Sequence, residues 1–572
     1  MKLRNLFAAA LLLACASASG QGDGPAGNVV YSQEASWMYI YGTPVKAEGR
    51  SYNFAPTFFV YPDGKLDADA AKALVASMDV QQVLDENFAR IVVLSPVGEK
   101  YDEAADYAAF EALYNRTASG NLKIIGLGAG ATFVNQVIAV RAGDQVAGIM
   151  TVGGKPAKLP KGFASGGVPA YVAGKGAAKA AAPYIAMANA AHEAVRWSVD
   201  FEGGRPAAIG DVYVNPEEEL LQVVVNPTEQ SLARYFAEAW ECVFRKNYRY
   251  NNYKHTYYEE TALNKYGPYE LEPYFTDWSE LGVERIIVEQ PTGYGPRAAE
   301  GPKYLWYEYW PTALLKDAPA QSVPMVVLLH GNRNDPRTQA ETSGFIQLAA
   351  KEGFMAVEME WQGNGDYAAM GLDGIETVIY QLLDKYPQLD PSRVYAEGLS
   401  AGSMTATSLG IRKSHVFAAV GGHSGGGGST SYWNEATQKR GAVEMPYCSV
   451  FGTLDTVVPY IKPDRWRGNG YLSAWNTYEQ MNGMEVVSEM DFSIDPVFAQ
   501  PVRDRQIILT NKGPGITIET GQLYKGDMPL IRLVAVIDYC HWNFVPTAQV
   551  MWDFFKMYRR DPETRKLVYL GR

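Results

Sequence analysis

The chain has 572 residues, enough for about four domains at roughly 150 residues each or for two large α/β domains. Apolar residues make up 47% and charged residues 20%, which excludes a disordered chain, and four cysteines are too few for a disulfide-built scaffold. The net charge of −12 leaves no basic footprint, so no nucleic-acid partner is expected.

The first 20 residues have the layout of a bacterial export signal: Lys2 and Arg4, the apolar run from Leu6 to Ala14, then small residues. That run is too short to span a bilayer, and no later stretch reaches about 18 apolar residues, so no transmembrane segment is expected. Two processing readings compete. Ala16-Ser17-Ala18 fits a signal-peptidase site, whereas Leu12-Leu13-Ala14-Cys15 fits a lipobox in which Cys15 carries a lipid anchor. Simple secretion is preferred, giving a secreted or periplasmic address with surface anchoring at Cys15 as the alternative. Loss of Lys2 and Arg4 takes the net charge from −12 to −14. Such a compartment permits disulfides, but Cys242, Cys448 and Cys540 are an odd set and no pairing follows.

In the first half, strands are predicted at Thr57–Tyr61, Arg90–Leu94, Leu122–Ile125, Val146–Gly153, Pro169–Ala173 and Leu221–Val225. Gly126-Leu-Gly-Ala-Gly130 leads from the third strand into a helical stretch, and His192 is read as helical too. A polar, Tyr-rich stretch from Lys246 to Pro273 marks the boundary. The second half gives strands at Pro324–Gly331, Phe354–Glu360, Arg393–Gly398, Phe417–Gly421, Tyr447–Gly452 and Arg532–Ile537, with helices at Gly371–Lys385, Ser403–Lys413 and Thr547–Arg559. Continuous apolar strands alternating with helices imply α/β domains with mostly parallel sheets covered on both faces. The two halves repeat one order. Pro227-Thr-Glu-Gln230 precedes Tyr235-Phe236 by the same spacing as Pro546-Thr-Ala-Gln549 precedes Phe554-Phe555, which reads as a duplication; two unrelated α/β segments are the alternative. The expected organisation is a signal peptide at 1–20, one domain at 25–250, a linker at 251–280 and a second domain at 281–572.

Gly398-Leu-Ser-Ala-Gly402 fits the G-x-S-x-G nucleophile elbow. A serine on a tight strand-to-helix turn needs flanking glycines, because side chains there would strike the strand and the helix. The pattern alone is weak: with 55 glycines, chance gives it in roughly four of ten such chains. Gly422-His-Ser-Gly-Gly426 matches as well, but Ser424 runs into a glycine loop, whereas Ser400 follows a strand and opens a helix. A serine hydroxyl needs a base, and the chain has six histidines. His541 follows the last predicted strand and precedes the final helix, where the order Ser, acid, His places the base. His192 and His255 lie outside the second half, His415 follows the elbow helix, His330 precedes the turn at Gly331, and His423 lies in the glycine loop, where it could line a pocket. Asp455, just past the strand ending at Gly452, is the expected acid, with Asp538 the competitor and a turn or helix cap the plainer role. The expected oxyanion donors are the backbone N–H of Ala401 and a group at Asn332. Trp361 and Trp542 are further pocket candidates. No metal or cofactor is implied.

Leu329-His-Gly331, Asp390-Pro-Ser-Arg-Val-Tyr395, the Ser400 elbow, the Asp455 turn and His541-Trp542 before Pro546 together resemble the esterase family of polyhydroxybutyrate depolymerases and feruloyl or acetylxylan esterases, over roughly residues 305–560. The resemblance implies an α/β-hydrolase that cleaves carboxylic esters through a serine triad, with a small ester or a polysaccharide-linked ester as substrate. The long segment from Tyr460 to Pro529 departs from it and is read as a lid or pocket wall. The first half then reads as a degenerate α/β-hydrolase-like domain, so the whole is two such domains in tandem. Gly128 stands at the nucleophile position, Gly174-Lys-Gly-Ala-Ala178 offers no acid, and no histidine lies between His192 and His255. A phosphate-binding turn at Gly126 and Gly128 is the other reading, but the third glycine falls at Gly130, which breaks the dinucleotide pattern. The clusters Tyr304–Trp310 and Tyr248–Tyr258, among 37 tyrosines, read as core first and as stacking platforms for sugar or phenolic rings second. Two rival functions stay open: a serine peptidase of the prolyl-oligopeptidase type, and a non-catalytic surface binding protein.

Overall fold

A computed structural model of the chain describes residues 29–32, 37–41, 56–87, 89–117, 121–143, 145–159, 161, 163, 167–193, 210–249, 271–274, 276, 278–292, 302–332, 334, 336–363, 367–425, 444–455, 458, 460, 470–510 and 516–571. The export segment, Cys15, residues 251–270 of the expected linker and the glycines after Gly425 lie outside the described residues. The chain divides into two compact units, 1–276 and 277–572, the first and second lobes below.

In the first lobe, β1 (Val29–Ser32), β2 (Trp37–Tyr41), β3 (Thr57–Tyr61), β4 (Arg90–Leu94), β5 (Leu122–Leu127), β6 (Gly148–Val152), β7 (Ala170–Ala173), β8 (Ala191–Glu193), β9 (Asp211–Asn215) and β10 (Glu218–Asn226) form one sheet in the order β1-β2-β4-β3-β5-β6-β7-β10-β9-β8. The run from β4 to β10 is parallel; the two strands beyond it on each side are antiparallel. A short ladder of β11 (Asn247–Arg249) and β12 (Leu271–Pro273) follows.

The second lobe repeats the plan with β13 (Val283–Pro291), β14 (Lys303–Pro311), β15 (Val323–Leu329), β16 (Met355–Met359), β17 (Leu389–Gly398), β18 (Ala419–His423), β19 (Tyr447–Gly452), β20 (Arg503–Leu509), β21 (Thr517–Lys525) and β22 (Met528–Val536). Their order is β13-β14-β16-β15-β17-β18-β19-β22-β21-β20, strand for strand that of the first lobe, with the same pattern of parallel and antiparallel neighbours. It too ends in a ladder, β23 (Tyr558–Arg560) with β24 (Leu567–Tyr569).

The inner strands form because they can be buried on both faces: every residue of β15, β16 and β19 is buried. Helices cover those faces. Gly371–Lys385 buries Ile375, Val378, Ile379 and Leu382, the spacing of one helical face, against Val327 and Ala396 of the sheet's core. Each such side chain contributes roughly 1.5–3 kcal/mol by leaving water.

Three expectations are corrected. His192 sits in β8, not in a helix: the helix Ala177–Met187 ends first, and Asn189 takes a positive φ of 48°. Much of Tyr460–Pro529 is sheet and core, not lid: β20 and β21 extend the sheet, and the helix Gly470–Met481 buries Tyr471, Trp475 and Tyr478. The first reading of Tyr304–Trp310, as core, holds: the segment lies in β14, where Tyr307, Tyr309 and Trp310 are fully buried and closed to a sugar ring. The pairing of Tyr235-Phe236 with Phe554-Phe555 also fails, because the last helical run of the first lobe continues to Phe244. Phe244 and Phe555 both stand three residues before their closing ladders. Cys242, Cys448 and Cys540 are buried, and burial pushes the thiols of the first two up to about 12.

Candidate active site

The parallel strands of the second lobe end together at one edge, where α/β sheets place their reactive groups. β17 ends at Gly398, opposite Leu329 of β15, and the chain turns at once into the helix Ala401–Arg412. Ser400 is the hinge of that turn, with φ 53° and ψ −112°, a strained conformation that a non-glycine residue rarely holds. The turn is held from both sides: the Ser400 N–H donates to the His423 carbonyl (2.8 Å) and the Met404 N–H to the Ser400 carbonyl (3.0 Å). At Gly402 a Cβ would strike the Leu329 carbonyl, so only glycine lets helix and strand close this tightly.

Two further loops reach the serine. After β22, residues 537–546 form a turn carrying His541; after β19, residues 453–455 carry Asp455. Backbone bonds tie these loops together, Leu454 N–H to the Tyr539 carbonyl (2.9 Å) and Asp538 N–H to Thr453 Oγ1 (2.7 Å). The imidazole of His541 lies between the other two side chains: Nε2 is 2.9 Å from Ser400 Oγ, and Nδ1 is 2.7 Å from Asp455 Oδ2. Asp455 is buried, and its other oxygen accepts the Val458 N–H at 2.8 Å. A proton on Nδ1 satisfies the carboxylate and leaves Nε2 free to accept from the hydroxyl. Of the two aspartates considered, Asp455 meets the imidazole.

The expected oxyanion residues flank the serine. Ala401 opens the helix directly after it. Asn332 lies in the turn after β15, its side chain exposed, and the Asn334 N–H closes that turn on the Gly331 carbonyl at 3.1 Å. The loop after β16 braces this turn. Trp361 Nε1 donates to the His330 carbonyl (3.1 Å), Gln362 Nε2 to Asn332 Oδ1 (3.5 Å), and Glu360 Oε1 stands 3.5 Å from His330 Nε2. Trp361 is therefore half-buried against this turn.

Two pocket candidates are corrected. His423 is 3% exposed and both ring nitrogens are engaged within the protein: Nε2 accepts the Phe544 N–H (3.3 Å) and Nδ1 meets Ser424 Oγ (3.2 Å). Burial, with His541 nearby, pushes its pKa down to about 3, so it is neutral. His423 braces the base loop instead of facing a ligand. Trp542 is 4% exposed and likewise turned inward. Ser424 has a positive φ of 50° directly after β18. Sequence reasoning missed Gln339, Glu397 and Asn543, buried polar residues around the loop that carries His541; the one visible sign was a carboxylate, Glu397, directly after the apolar run Val394–Ala396. Among the described residues no cluster of three or more His, Cys, Asp or Glu could hold a metal ion.

A mostly parallel sheet with a serine on its strand-to-helix elbow is the arrangement of the α/β-hydrolase fold. Residues 309–433 match the family described as esterase PHB depolymerase. Similar solved structures include an acetyl xylan esterase from Aspergillus awamori (15% identity, 47% of this chain and 99% of that one, TM-score 0.32). A thermostable esterase is similar at 14% identity (49% and 63% covered, TM-score 0.31), as is an S-formylglutathione hydrolase from Agrobacterium tumefaciens at 11% (48% and 95% covered, TM-score 0.31). No curated protein matches the chain.

Proposed function

We propose that the chain is a secreted or periplasmic serine esterase whose second lobe, 281–572, works through Ser400, His541 and Asp455. The observation that carries this reading is one imidazole within hydrogen-bond reach of both a hydroxyl on a strained elbow and a buried carboxylate. As the Ser400 Oγ attacks the ester carbonyl carbon, His541 Nε2 takes the hydroxyl proton. Asp455 holds the Nδ1–H and stabilises the imidazolium. The N–H groups of Ala401 and Asn332 receive the charge that develops on the carbonyl oxygen. The imidazolium then gives its proton to the departing alkoxide as the C–O bond breaks, leaving an acyl-serine. Water, deprotonated by the same imidazole, attacks that acyl group; the acid departs and Ser400 regains its proton.

The substrate class we favour is a carbohydrate-linked or hydroxyalkanoate ester, with the first lobe, 25–250, as a hydrolase-like domain without the chemistry. Residues 1–20 are read as an export signal, with a lipid anchor at Cys15 as the other processing outcome, and 251–280 as the linker. Hydrolysis of p-nitrophenyl acetate, acetyl-sugar, feruloyl-sugar, hydroxybutyrate-oligomer and peptide substrates by the mature chain tests the reading. Turnover of esters that vanishes in Ser400→Ala is expected; preference for peptides would favour a peptidase, and undiminished ester turnover in that variant would refute the triad.

A further inference from the structure

The loop that carries His541 is held at more points than its contact with Asp455. On one side stands the His423 ring, described above. On the other, Asn543 Nδ2 donates to Gln339 Oε1 (3.0 Å) and to Thr342 Oγ1 (2.7 Å), both on the helix Pro336–Thr342. Gln339 Nε2 donates onward to Glu397 Oε1 at 2.8 Å. Asn543 lies two residues beyond the base, and Glu397 three residues before the nucleophile on β17. All three side chains are buried, at 2%, 1% and 2% exposure.

We propose that Asn543, Gln339 and Glu397 form a positioning relay that fixes the base-bearing loop to the strand presenting the nucleophile. The proposal rests on the triad reading and adds residues that touch neither substrate nor reacting atoms. The relay is directional. The Gln339 carbonyl faces Asn543 and its amide faces Glu397, so a change at either end is felt at the other. Leaving a buried link unpaired costs the desolvation of a polar group, which the loop can avoid only by moving.

The relay also makes the site sensitive to alkali. Burial pushes the Glu397 carboxyl up to about 8, opposed only by the Gln339 hydrogen bond, so it is mostly neutral at pH 7. The charged groups on the elements around it are Glu358, across Leu328 in the sheet register, Arg337 and Glu341 on the Gln339 helix, Lys351 and Glu352 on Phe345–Glu352, and Asp553 on Thr547–Phe555. β18 brings only His423. Ionisation above pH 8 places a buried charge at the end of the relay, and the loop loosens to admit water.

Steady-state kinetics and fluorophosphonate labelling of the full chain between pH 6 and 10 test this. Glu397→Gln, which keeps the hydrogen bond and cannot ionise, should raise the ratio of kcat at pH 9 to kcat at pH 7 about threefold or more over wild type. Gln339→Met should lower kcat and the labelling rate about tenfold with KM within about twofold, because the base is misplaced while the ester site stays intact. An unchanged alkaline limb in Glu397→Gln overturns the pH claim, and that arm stands even where Gln339→Met fails to fold. Wild-type kcat in a folded Gln339→Met overturns the relay alone, provided Ser400→Ala is inactive. Activity retained in Ser400→Ala overturns the relay together with the triad reading.

Discussion

The two elbows differ by one side chain and by everything that side chain would need. Gly128 has φ 54° and ψ −112°, within a degree of Ser400, and its N–H donates to the Val152 carbonyl as that of Ser400 does to His423. The turn has the same shape without a serine. Its neighbours have filled the space: Asp63 Oδ1 accepts the Ala129 N–H at 2.5 Å, the donor that corresponds to Ala401, and a Cβ on Gly128 would run into that carboxylate. The loops are shorter too. Residues 227–231 join β10 to its helix where residues 537–546 join β22 to its own, and Gly174–Gly176 lead straight into a helix where the second lobe has the Asp455 turn. Fold and candidate site therefore separate: the sheet order belongs to both lobes, the loops that carry His541 and Asp455 to one.

Other features are kept because they hold the fold. Arg249 and Arg560 occupy matching places in the two closing ladders, each about 1% exposed. Arg249 donates to the carbonyls of Gly143 and Gly167, and Arg560 to those of Phe417, Glu444 and Arg565. Each ties carbonyls from separate loops at the far edge of its sheet, and burial lowers the Arg560 pKa to about 10.

Breaking this comparison should cost most at the elbow. Ser400→Ala should lower kcat for p-nitrophenyl acetate by about 10⁴-fold or more, while Gly128→Ser creates no activity. Asp455→Asn should cost about 10³- to 10⁴-fold, with Asp538→Asn within about threefold of wild type; kcat/KM for the same ester separates them. Arg560→Ala and Arg249→Ala should each destabilise their own lobe by about 3 kcal/mol, read as lost amide-exchange protection in the strands of that lobe, because buried carbonyls lose their donor. The smallest effect is a coupling. Gly128→Ser should be destabilising alone and less so with Asp63→Ala, by about 1–2 kcal/mol in a denaturation cycle; additivity would mean Asp63 does not fill the empty elbow.

The parallel strands are legible in the sequence because continuous burial writes a continuous apolar run, as at β15, β16 and β19. The antiparallel edges are not: β20 reads Arg-Asp-Arg-Gln-Ile-Ile-Leu with almost every residue exposed, and β13 exposes Glu284, Arg285, Ile287 and Glu289 and only half-buries Ile286 and Val288. Ser400, Asp455 and His541 are legible through their place in the order of strands and turns, and the structure brings their side chains together. The bracing residues are not, since Gln339, Asn543 and Glu397 meet only through tertiary packing. His423 and Trp542 read as pocket residues by proximity in sequence, but burial turns both inward.

The central claim is that the Ser400 hydroxyl is the group activated by His541. Treating the folded, mature chain with a fluorophosphonate and mapping the adduct by peptide mass spectrometry tests it directly. A single adduct on Ser400, absent in His541→Ala, is the predicted result; an adduct on Ser424, or continued ester hydrolysis by a chain that takes up no label, would contradict it.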